Sequence, residues 1–413
     1  MVENRWSWAS TAGTVPERGS FWQVSSASHE ECQAEAALSL LEQGVDRAGA
    51  VHHAESALAD EVCSVRARCQ WRALMVLLAA GELVSADAQL RRLENAGEID
   101  VTGMLVLLRA GHARLSGDLA GAGRALRPLV EEAVEPFVHR LAVACLVETL
   151  VVGGDVEAAD ELLGEHDYEQ WTADDEAARP LLLAARGTAH LSAGRYREAA
   201  ADLLRCLELP AADLMGHPAV MRRRVLAALA AKGLGRLRLA TTLAEQEEKA
   251  ALTWGSPAAV GSALYVRAIV DDSERAIGML TDAIELLEVS RTRVGLAVAR
   301  YELGTRLAAM GDLIAAKEQF KQARRAALQI GSDKLAEKLE SAVGELHHEG
   351  EARSLTAQEV KIAELAQSGY TNKQIADKLF LTIRTIEFHL SNVYRKLKIT
   401  GRRELMSGAR KLT

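Results

Sequence analysis

A glycine followed five residues later by an alanine recurs through most of this chain, and this repeat constrains the fold more than any other feature. The turn positions, of which one is aspartate, and their alanines are Gly81 and Ala86, Gly117 and Ala122, Gly154 and Ala159, Gly194 and Ala199, Gly235 and Ala240, Asp271 and Ala276, and Gly311 and Ala316. Glycine ends a helix in a left-handed turn, and an alanine one turn into the next helix lets the two helices approach closely. The pattern therefore predicts helix pairs in series over residues 30–346, with Gly44 marking a further, poorer copy.

One copy carries a fuller motif, formed by Gly187, Gly194, Tyr196 and Ala199. It resembles the tetratricopeptide repeat, in which a glycine of the first helix lies seven residues before a Gly-x-Tyr-x-x-Ala turn. Most other copies lack the first glycine, and the spacing exceeds the usual period of about 34 residues, so the repeats are degenerate. The resemblance implies a superhelix with a concave face. A non-repeating helical bundle is the alternative.

The C-terminal part of the chain predicts three short helices from their capping residues. The first begins at Thr356 with Glu359 as its capping-box partner, the second at Thr371 with Gln374, and the third at Thr382. Two short helices joined by a tight turn form a helix-turn-helix, and the second of them enters the major groove of DNA. The fold class that we predict is thus all-α, a superhelix of helix pairs followed by a small helix-turn-helix domain.

The third predicted helix has one apolar face and one polar face. Ile386, Leu390, Val393 and Leu397 recur at helical spacing and form the apolar stripe. The N-terminal residues and outer face of such a helix reach base edges. The residues on the opposite face, which we expect to read bases, are Arg384, Glu387, Phe388, Ser391 and Arg395. For the phenylalanine, the alternative is a packed or interface aromatic.

This C-terminal stretch resembles the LuxR-type DNA-binding domain, a resemblance that covers about fifty residues. The matching positions are Leu355-Thr356, Glu359, Gly369, Thr371-Asn372-Lys373, Ile375-Ala376, Thr385-Ile386, His389-Leu390, Tyr394, Lys396-Leu397 and Arg403-Glu404-Leu405. The resemblance implies double-stranded promoter DNA as the partner and RNA polymerase as a further candidate. A helical cap on the preceding domain and the related helix-turn-helix of a sigma factor are the alternatives.

Other residues of this domain are expected to hold the DNA backbone or a second copy of the chain. Helix N-terminal amides and lysines contact phosphate without reading sequence. The predicted phosphate contacts are Thr371, Asn372, Lys373, Thr382, Thr385, Lys396 and Lys398. In LuxR-type proteins the helix after the recognition helix commonly forms the dimer contact, which implies a homodimer on DNA through Leu405, Met406, Ala409 and Leu412. The alternatives are capping alone for Thr371 and Thr382, and closure of the domain core for the four dimer residues.

Aromatic side chains, which are scarce here at 4% of the sequence, recur at one position of the repeat. In the tetratricopeptide resemblance, fixed offsets before each turn line the concave face. The residues at these offsets, which we predict to line a groove for a ligand or a partner, are Arg68, Trp71, Arg114, Arg222, Tyr265 and Tyr301. Aromatic faces with arginines suit a planar or sugar-like ligand, an anionic metabolite or an acidic peptide. The alternative is that these aromatics pack between neighbouring repeats.

Charge and motif content limit the remaining function classes. Residues 351–413 carry a net charge of +6 within a chain of net charge −8, which fits one nucleic-acid-binding face on an acidic body. No Gly-Lys dipeptide occurs, so a P-loop is excluded. Catalytic, cofactor and metal constellations are not apparent, and the five cysteines suggest free thiols in a reducing compartment. No apolar run approaches the length needed to cross a membrane.

The sequence therefore predicts a transcriptional regulator, not an enzyme, whose repeat region senses a small-molecule or protein signal. A scaffold that binds a protein partner constitutively is the rival. The repeat and C-terminal regions also resemble the C-terminal half of large ATP-binding LuxR-family regulators, so a fragment of such a protein is a third reading. We expect a tail at 1–29, the repeats at 30–346, a linker at 347–353 and the DNA-binding domain at 354–413. The expected location is the cytoplasm, with nucleoid association when DNA is bound.

Overall fold

The computed structural model describes most of the chain after the first 31 residues. The described ranges are 32–96, 103–132, 134–209, 223–290, 293–353, 355, 357–397 and 399–406. The predicted N-terminal tail thus lies outside the described residues. All regular secondary structure within these ranges is α-helical, as predicted.

Eighteen helices are described before the C-terminal domain. They are α1 (Gln33–Gln43), α2 (Arg47–Ala59), α3 (Ala67–Ala80), α4 (Leu83–Ala96), α5 (Met104–Ser116), α6 (Leu119–Glu131), α7 (Pro136–Val152), α8 (Val156–Gly164), α9 (Tyr168–Asp174), α10 (Arg179–Ser192), α11 (Tyr196–Glu208), α12 (Arg223–Gly233), α13 (Leu237–Trp254), α14 (Pro257–Val270), α15 (Arg275–Val289), α16 (Arg293–Ala309), α17 (Leu313–Gln329) and α18 (Asp333–Arg353). Contacts join α1 to α3, α3 to α5, α5 to α7, α7 to α10, α10 to α12 and α12 to α14, so the first helices of successive pairs pack side by side.

The repeat positions behave as the sequence predicts. Gly44 and the six glycine turn positions have positive φ angles between 66° and 88°, the left-handed conformation that ends a helix. All seven alanines, from Ala86 to Ala316, are 0% exposed. Asp271 differs, because its backbone is extended and its carboxylate accepts the amide of Ser273 at 2.8 Å. This hydrogen bond from the backbone to the aspartate side chain shapes the turn where the other copies have a left-handed glycine.

Two glycines within helices show how closely the paired helices pack. A Cβ atom at Gly187 of α10 would lie 2.7 Å from Cγ of Leu203 in α11. A Cβ atom at Gly304 of α16 would lie 2.6 Å from Cε1 of Phe320 in α17. Any side chain at either position would force the helices apart, which explains the first glycine of the fuller motif.

Contacts between Cα atoms divide the chain into two compact units. The first comprises the residues up to Ala299 together with Arg325–Leu335, and the second comprises Arg300–Arg324 together with the residues from Ala336 onward. This division does not coincide with the predicted domain boundaries, which stay a prediction. The segment predicted as a linker, 347–353, is helical because α18 continues to Arg353.

A long-range contact within the first unit joins the turn after α7 to the start of α18. The hydroxyl of Ser332 donates to the carbonyl of Gly153 at 2.8 Å. The ammonium of Lys334 pairs with Asp155 at 2.7 Å and with Glu157 at 3.0 Å. We call this the 153–334 contact. Among the helices of the described ranges, none combines the length and apolarity needed to cross a membrane.

Candidate nucleic-acid interface

In the described part of the C-terminal domain, four helices pack around one apolar core. They are α19 (Ala357–Gln367), α20 (Asn372–Leu379), α21 (Ile383–Leu397) and α22 (Arg402–Met406). The core side chains are Ile362, Ala363, Ala366, Ile375, Ala376, Ile386, Leu390, Val393 and Leu405. Three of the four stripe residues predicted for the third helix are therefore buried, and the fourth, Leu397, packs against them. This burial fixes which face of α21 points outward.

Hydroxyl caps set the beginnings of both helices of the helix-turn-helix. Thr371 and Gln374 form the predicted capping box, in which each side chain bonds the backbone amide of the other residue. The amide of Thr385 donates to Oγ1 of Thr382 at 3.1 Å, which caps α21. The capping role of both threonines is thus present, and it leaves their phosphate role a prediction.

The turn between α20 and α21 contains an unusual residue. Phe380 caps α20 in the left-handed conformation, with φ at 55°, and its side chain is 96% exposed. It is the only non-glycine residue with positive φ in the described part of the chain. A residue with a Cβ atom pays a steric cost in this conformation, and here no burial offsets it.

The outer face of α21 presents chemically varied side chains to solvent. Arg384, Glu387, Phe388 and Ser391 are all exposed, Phe388 at 65%. The hydroxyl of Ser391 donates to the backbone carbonyl of Glu387 at 2.8 Å, so its oxygen is oriented as an acceptor. The side chain of Arg395 lies outside the described part of the structure. Their base-reading role stays a prediction.

The residues predicted to contact phosphate separate into different environments. Thr371, Lys373 and Thr382 are exposed, and Thr385 is half-buried. Oδ1 of Asn372 accepts a hydrogen bond from Arg402 at 2.9 Å, which positions the side chain at the start of α20. Lys398, the last member of the predicted set, lies outside the described residues.

Lys396 forms a buried ion pair, so its ammonium is not exposed as a phosphate contact requires, and that prediction is corrected. Its Nζ is 2.7 Å from Oε2 of Glu359, and the two side chains are only 10% and 5% exposed. The ammonium is therefore held inside the domain between α19 and α21. Glu359, predicted only as a capping partner of Thr356, is the partner of this buried lysine; Thr356 itself lies outside the described residues.

The short helix α22 is attached to the domain by a residue that the sequence reading missed. Arg402 donates to Asn372 and to the carbonyls of Tyr370 and Ala366, and so joins α22 to the loop before α20. No spacing pattern marks this role, because its acceptors are mainly backbone carbonyls.

The predicted dimer stripe is only partly available for contact with another chain. Leu405 is 4% exposed and belongs to the domain core, so its assignment to a dimer contact is corrected. Met406 is 50% exposed. Ala409 and Leu412 lie outside the described residues. The alternative that such residues close the core therefore holds for Leu405.

In the repeat region the structure brings two of the predicted groove residues together. Trp71 and Arg114 line one cavity of about 90 Å³, which Cys145 and Glu148 also line. The guanidinium of Arg114 is 2.6 Å from the carboxylate of Glu148. Burial opposes the charge on Arg114, but this carboxylate outweighs it and raises the arginine pKa. Burial raises the pKa of the Cys145 thiol to about 12, which keeps it protonated. Arg68 is half-buried and not part of the cavity lining.

The remaining predicted groove residues do not join this cavity. Tyr265 is 9% exposed. Within the second unit, the ring of Tyr301 packs against Phe320 at 5.8 Å between centroids, and Lys338 lies over the tyrosine ring at 5.1 Å. These two tyrosines therefore fit the alternative of packing between helices. Arg222 lies outside the described residues.

Comparison with known proteins identifies the family that the C-terminal domain matches. Residues 353–409 match the model of the family described as bacterial regulatory proteins, luxR family. The chain is 39% identical over 77 residues to the transcriptional regulatory protein LiaR of Bacillus subtilis, which covers 17% of this chain and 36% of that protein. It is 39% identical over 59 residues to the oxygen regulatory protein NreC of Staphylococcus carnosus, covering 14% and 27%. Identity to the HTH-type transcriptional regulator AlkS of Alcanivorax borkumensis is 35% over 57 residues, covering 14% and 6%.

The chain thus spans about a third of the length of LiaR and about a quarter of that of NreC. The C-terminal residues form a LuxR-family helix-turn-helix domain, as the sequence resemblance implied. The matched family is one of transcriptional regulators and not of enzymes.

Proposed function

We propose that this chain is a sequence-specific transcriptional regulator that binds double-stranded promoter DNA through the outer face of α21. One observation carries the proposal: the recognition helix of a LuxR-family domain buries one stripe and exposes Arg384, Glu387, Phe388 and Ser391 on the other side. A net charge of +6 on residues 351–413 supplies the attraction to DNA.

The exposed side chains match the chemistry of base edges in the major groove. The carboxylate of Glu387 is suited to accept a hydrogen bond from N4 of cytosine, and the ring of Phe388 to contact a thymine methyl group. Arg384 is suited to guanine or to a phosphate. A good hydrogen-bonded contact to a base edge discriminates between bases by about 1–3 kcal/mol.

In vitro selection with the full chain tests this proposal and yields the operator. With the selected site, Glu387→Ala should relax the preference at one base pair by about 1–3 kcal/mol. Glu364→Ala is a matched control, since Glu364 is exposed on α19 and carries the same charge. If the wild-type chain enriches no sequence, the proposal fails. Equal effects of the two substitutions at every position would remove Glu387 from base reading.

We further propose that the chain binds its operator as a homodimer, with RNA polymerase as a candidate partner. A single module of this size buries too little surface for tight specific binding, which favours two half-sites. Met406 is the exposed candidate contact in the described part of α22. Footprinting should show two half-sites with two chains bound, whereas one chain saturating a single half-site would exclude the dimer.

The helix pairs are proposed to receive the signal, and their likeness to tetratricopeptide repeats belongs to this proposal. The cavity beside Trp71 offers an apolar wall and one ion pair, Arg114 with Glu148, which suits a small planar molecule with a charged group. A ligand alters DNA binding only if it prefers one conformational state of the chain. Operator affinity measured with and without metabolites that raise the melting temperature separates this sensor from a constitutive scaffold, which would show no change.

The location in the cytoplasm, and on the nucleoid when DNA is bound, is part of the same proposal. So is the relation to larger ATP-binding regulators. Imaging a fluorescent fusion of the chain tests the location directly. Glu387→Ala should keep the nucleoid signal, whereas replacing all the exposed residues on the outer face of α21 should disperse it.

A further inference from the structure

Three cysteines that are far apart in sequence meet at one end of the first helix pair. The sulfur of Cys32 is 3.7 Å from that of Cys63 and 3.7 Å from that of Cys69. All three sulfur atoms lie within 4.8 Å of one another. Cys63 and Cys69 are each 6% exposed, whereas Cys32 is half-buried and reaches solvent. We call this group the three-cysteine cluster.

Separate structural elements hold the cluster in place. Cys32 caps the N-terminus of α1, and Cys69 lies in the first turn of α3, so two helix N-termini meet at the sulfur atoms. Cys63 lies in the loop between α2 and α3. The carboxylate of Asp60 accepts the amide of Cys63 at 2.7 Å and that of Val62 at 2.9 Å, which fixes the shape of this loop. The positive end of a helix favours a thiolate.

Burial and hydrogen bonding shift the pKa values of the three cysteines in different directions. Burial opposes ionisation of the Cys32 thiol, but hydrogen bonding around it, including that with the two other thiols, outweighs burial and lowers its pKa. Burial, followed by interaction with Cys32, raises the pKa of both Cys63 and Cys69.

The distances and charges suit a borderline-soft divalent ion. Thiolates bound to Zn²⁺ at about 2.3 Å in a tetrahedron lie about 3.8 Å apart, close to the two separations of 3.7 Å. Three thiolates and Zn²⁺ leave a net charge of −1. The guanidinium of Arg72, whose side chain is 6% exposed, lies near the cluster and is shared with the carboxylate of Glu35 at 3.9 Å. Thiolate sets select Zn²⁺ and similar thiophilic ions over Mg²⁺ or Ca²⁺.

We propose that Cys32, Cys63 and Cys69 bind one Zn²⁺ ion, with water from the solvent side of Cys32 as the fourth ligand. The ion would tie the start of α1 to the loop between α2 and α3 and to the start of α3. The site lies in the helix pairs, and its measurement uses no DNA. The outcome of that measurement therefore does not depend on the proposed DNA binding.

Titration of the full chain with Co²⁺ and then Zn²⁺ tests the site. The protein is first reduced with a phosphine and freed of metal by dialysis against a chelator. Co²⁺ should produce a thiolate-to-cobalt charge-transfer band and intense tetrahedral d–d bands, which saturate at one ion per chain. One equivalent of Zn²⁺ should then displace Co²⁺ and remove these bands. Zn²⁺ should also raise the melting temperature of the chain.

Variants distinguish this site from metal binding elsewhere in the chain. Cys63→Ser should weaken Co²⁺ and Zn²⁺ binding at least about 100-fold, since even the loss of a residue that only hydrogen-bonds a metal ligand costs about 10–100-fold. Cys206→Ser is the matched control, because Cys206 is a buried cysteine outside the cluster, and it should bind like the wild type. Circular dichroism checks that each variant is folded. Cys32→Ser, which replaces the half-buried cysteine of the cluster, is a second variant that controls for misfolding. The proposal is overturned if the wild-type chain shows no charge-transfer band, or if Cys63→Ser and Cys206→Ser bind equally.

Discussion

The buried ion pair between Lys396 and Glu359 separates two roles that a lysine can have in a DNA-binding domain. Their charged atoms are 2.7 Å apart, and their side chains are 10% and 5% exposed. Removing one partner of a buried pair leaves an uncompensated charge and costs about 3–5 kcal/mol. A domain of about 60 residues is stable by about 3–9 kcal/mol. Lys396→Met should therefore unfold much of the C-terminal domain.

A double substitution removes the pair without leaving a buried charge. Glu359→Leu with Lys396→Met keeps the net charge of the chain and replaces the ion pair with apolar groups, a change that is often neutral or stabilising by about 1–4 kcal/mol. We expect the double variant to recover the fold and operator affinity. The operator affinity of the double variant should depend on salt as strongly as that of the wild type, because an internal lysine neutralises no phosphate.

Lys373 provides the opposite case, since it is exposed at the start of α20. Lys373→Met should change stability by less than about 0.5 kcal/mol. It should lower the slope of log affinity against log salt by about 0.9, so that the loss of affinity between 50 and 200 mM salt shrinks about 3.5-fold. No sequence preference should change.

Fluorescence anisotropy with labelled operator at several salt concentrations measures the slopes, and hydrogen exchange of peptides from α19 and α21 in the full chain measures local stability. Two results would refute the reasoning. One is a Lys396→Met variant as protected from exchange as the wild type. The other is a double variant whose salt slope falls by the same amount as that of Lys373→Met.

Three further substitutions test features of the fold by chemical denaturation or thermal melting of the full chain. Phe380→Gly should stabilise the C-terminal domain by about 1 kcal/mol because it relieves a left-handed residue without losing packing; a loss of stability would contradict this. Ala199→Leu should cost about 1–3 kcal/mol through overpacking, whereas Ala201→Leu, at an exposed position of the same helix, should be nearly neutral. Burial lowers the pKa of His112, so the folded state prefers the neutral ring and stability should fall as pH drops below the unfolded-state pKa of about 6.5. His112→Gln should reduce that fall, and an unchanged pH profile would argue against the assignment.

Local sequence rules were sufficient for the helix pairs and for the recognition helix. Left-handed glycines and fully buried alanines follow from backbone sterics and from close helix packing, which act over a few residues. The same holds for the capping box at Thr371 and for the stripe from Ile386 to Val393. Each of these features depends on neighbours along one helix or one turn.

Features that depend on the approach of distant segments were not predictable in this way. Lys396 lies at a position of the LuxR motif and carries a charge, which suggests a DNA contact, yet its partner Glu359 belongs to another helix. Leu405 continues an apolar pattern that a dimer contact and a domain core would share. The three-cysteine cluster joins residues 31 and 37 positions apart, and no local spacing rule connects Cys32 to the other two.

The 153–334 contact has a consequence for how the helix pairs fold. An open array of repeats interacts only between neighbours, so its ends fray independently and it can assemble from any point. The hydrogen bond from Ser332 to Gly153 joins residues 179 positions apart, and closing so long a loop early would cost about 4–5 kcal/mol of chain entropy. The contact therefore forms late, after the intervening pairs have ordered. Once formed, it couples the opening of the segment around Ser332 and Lys334 to that of the turn between α7 and α8, so these two segments should lose protection from amide exchange together.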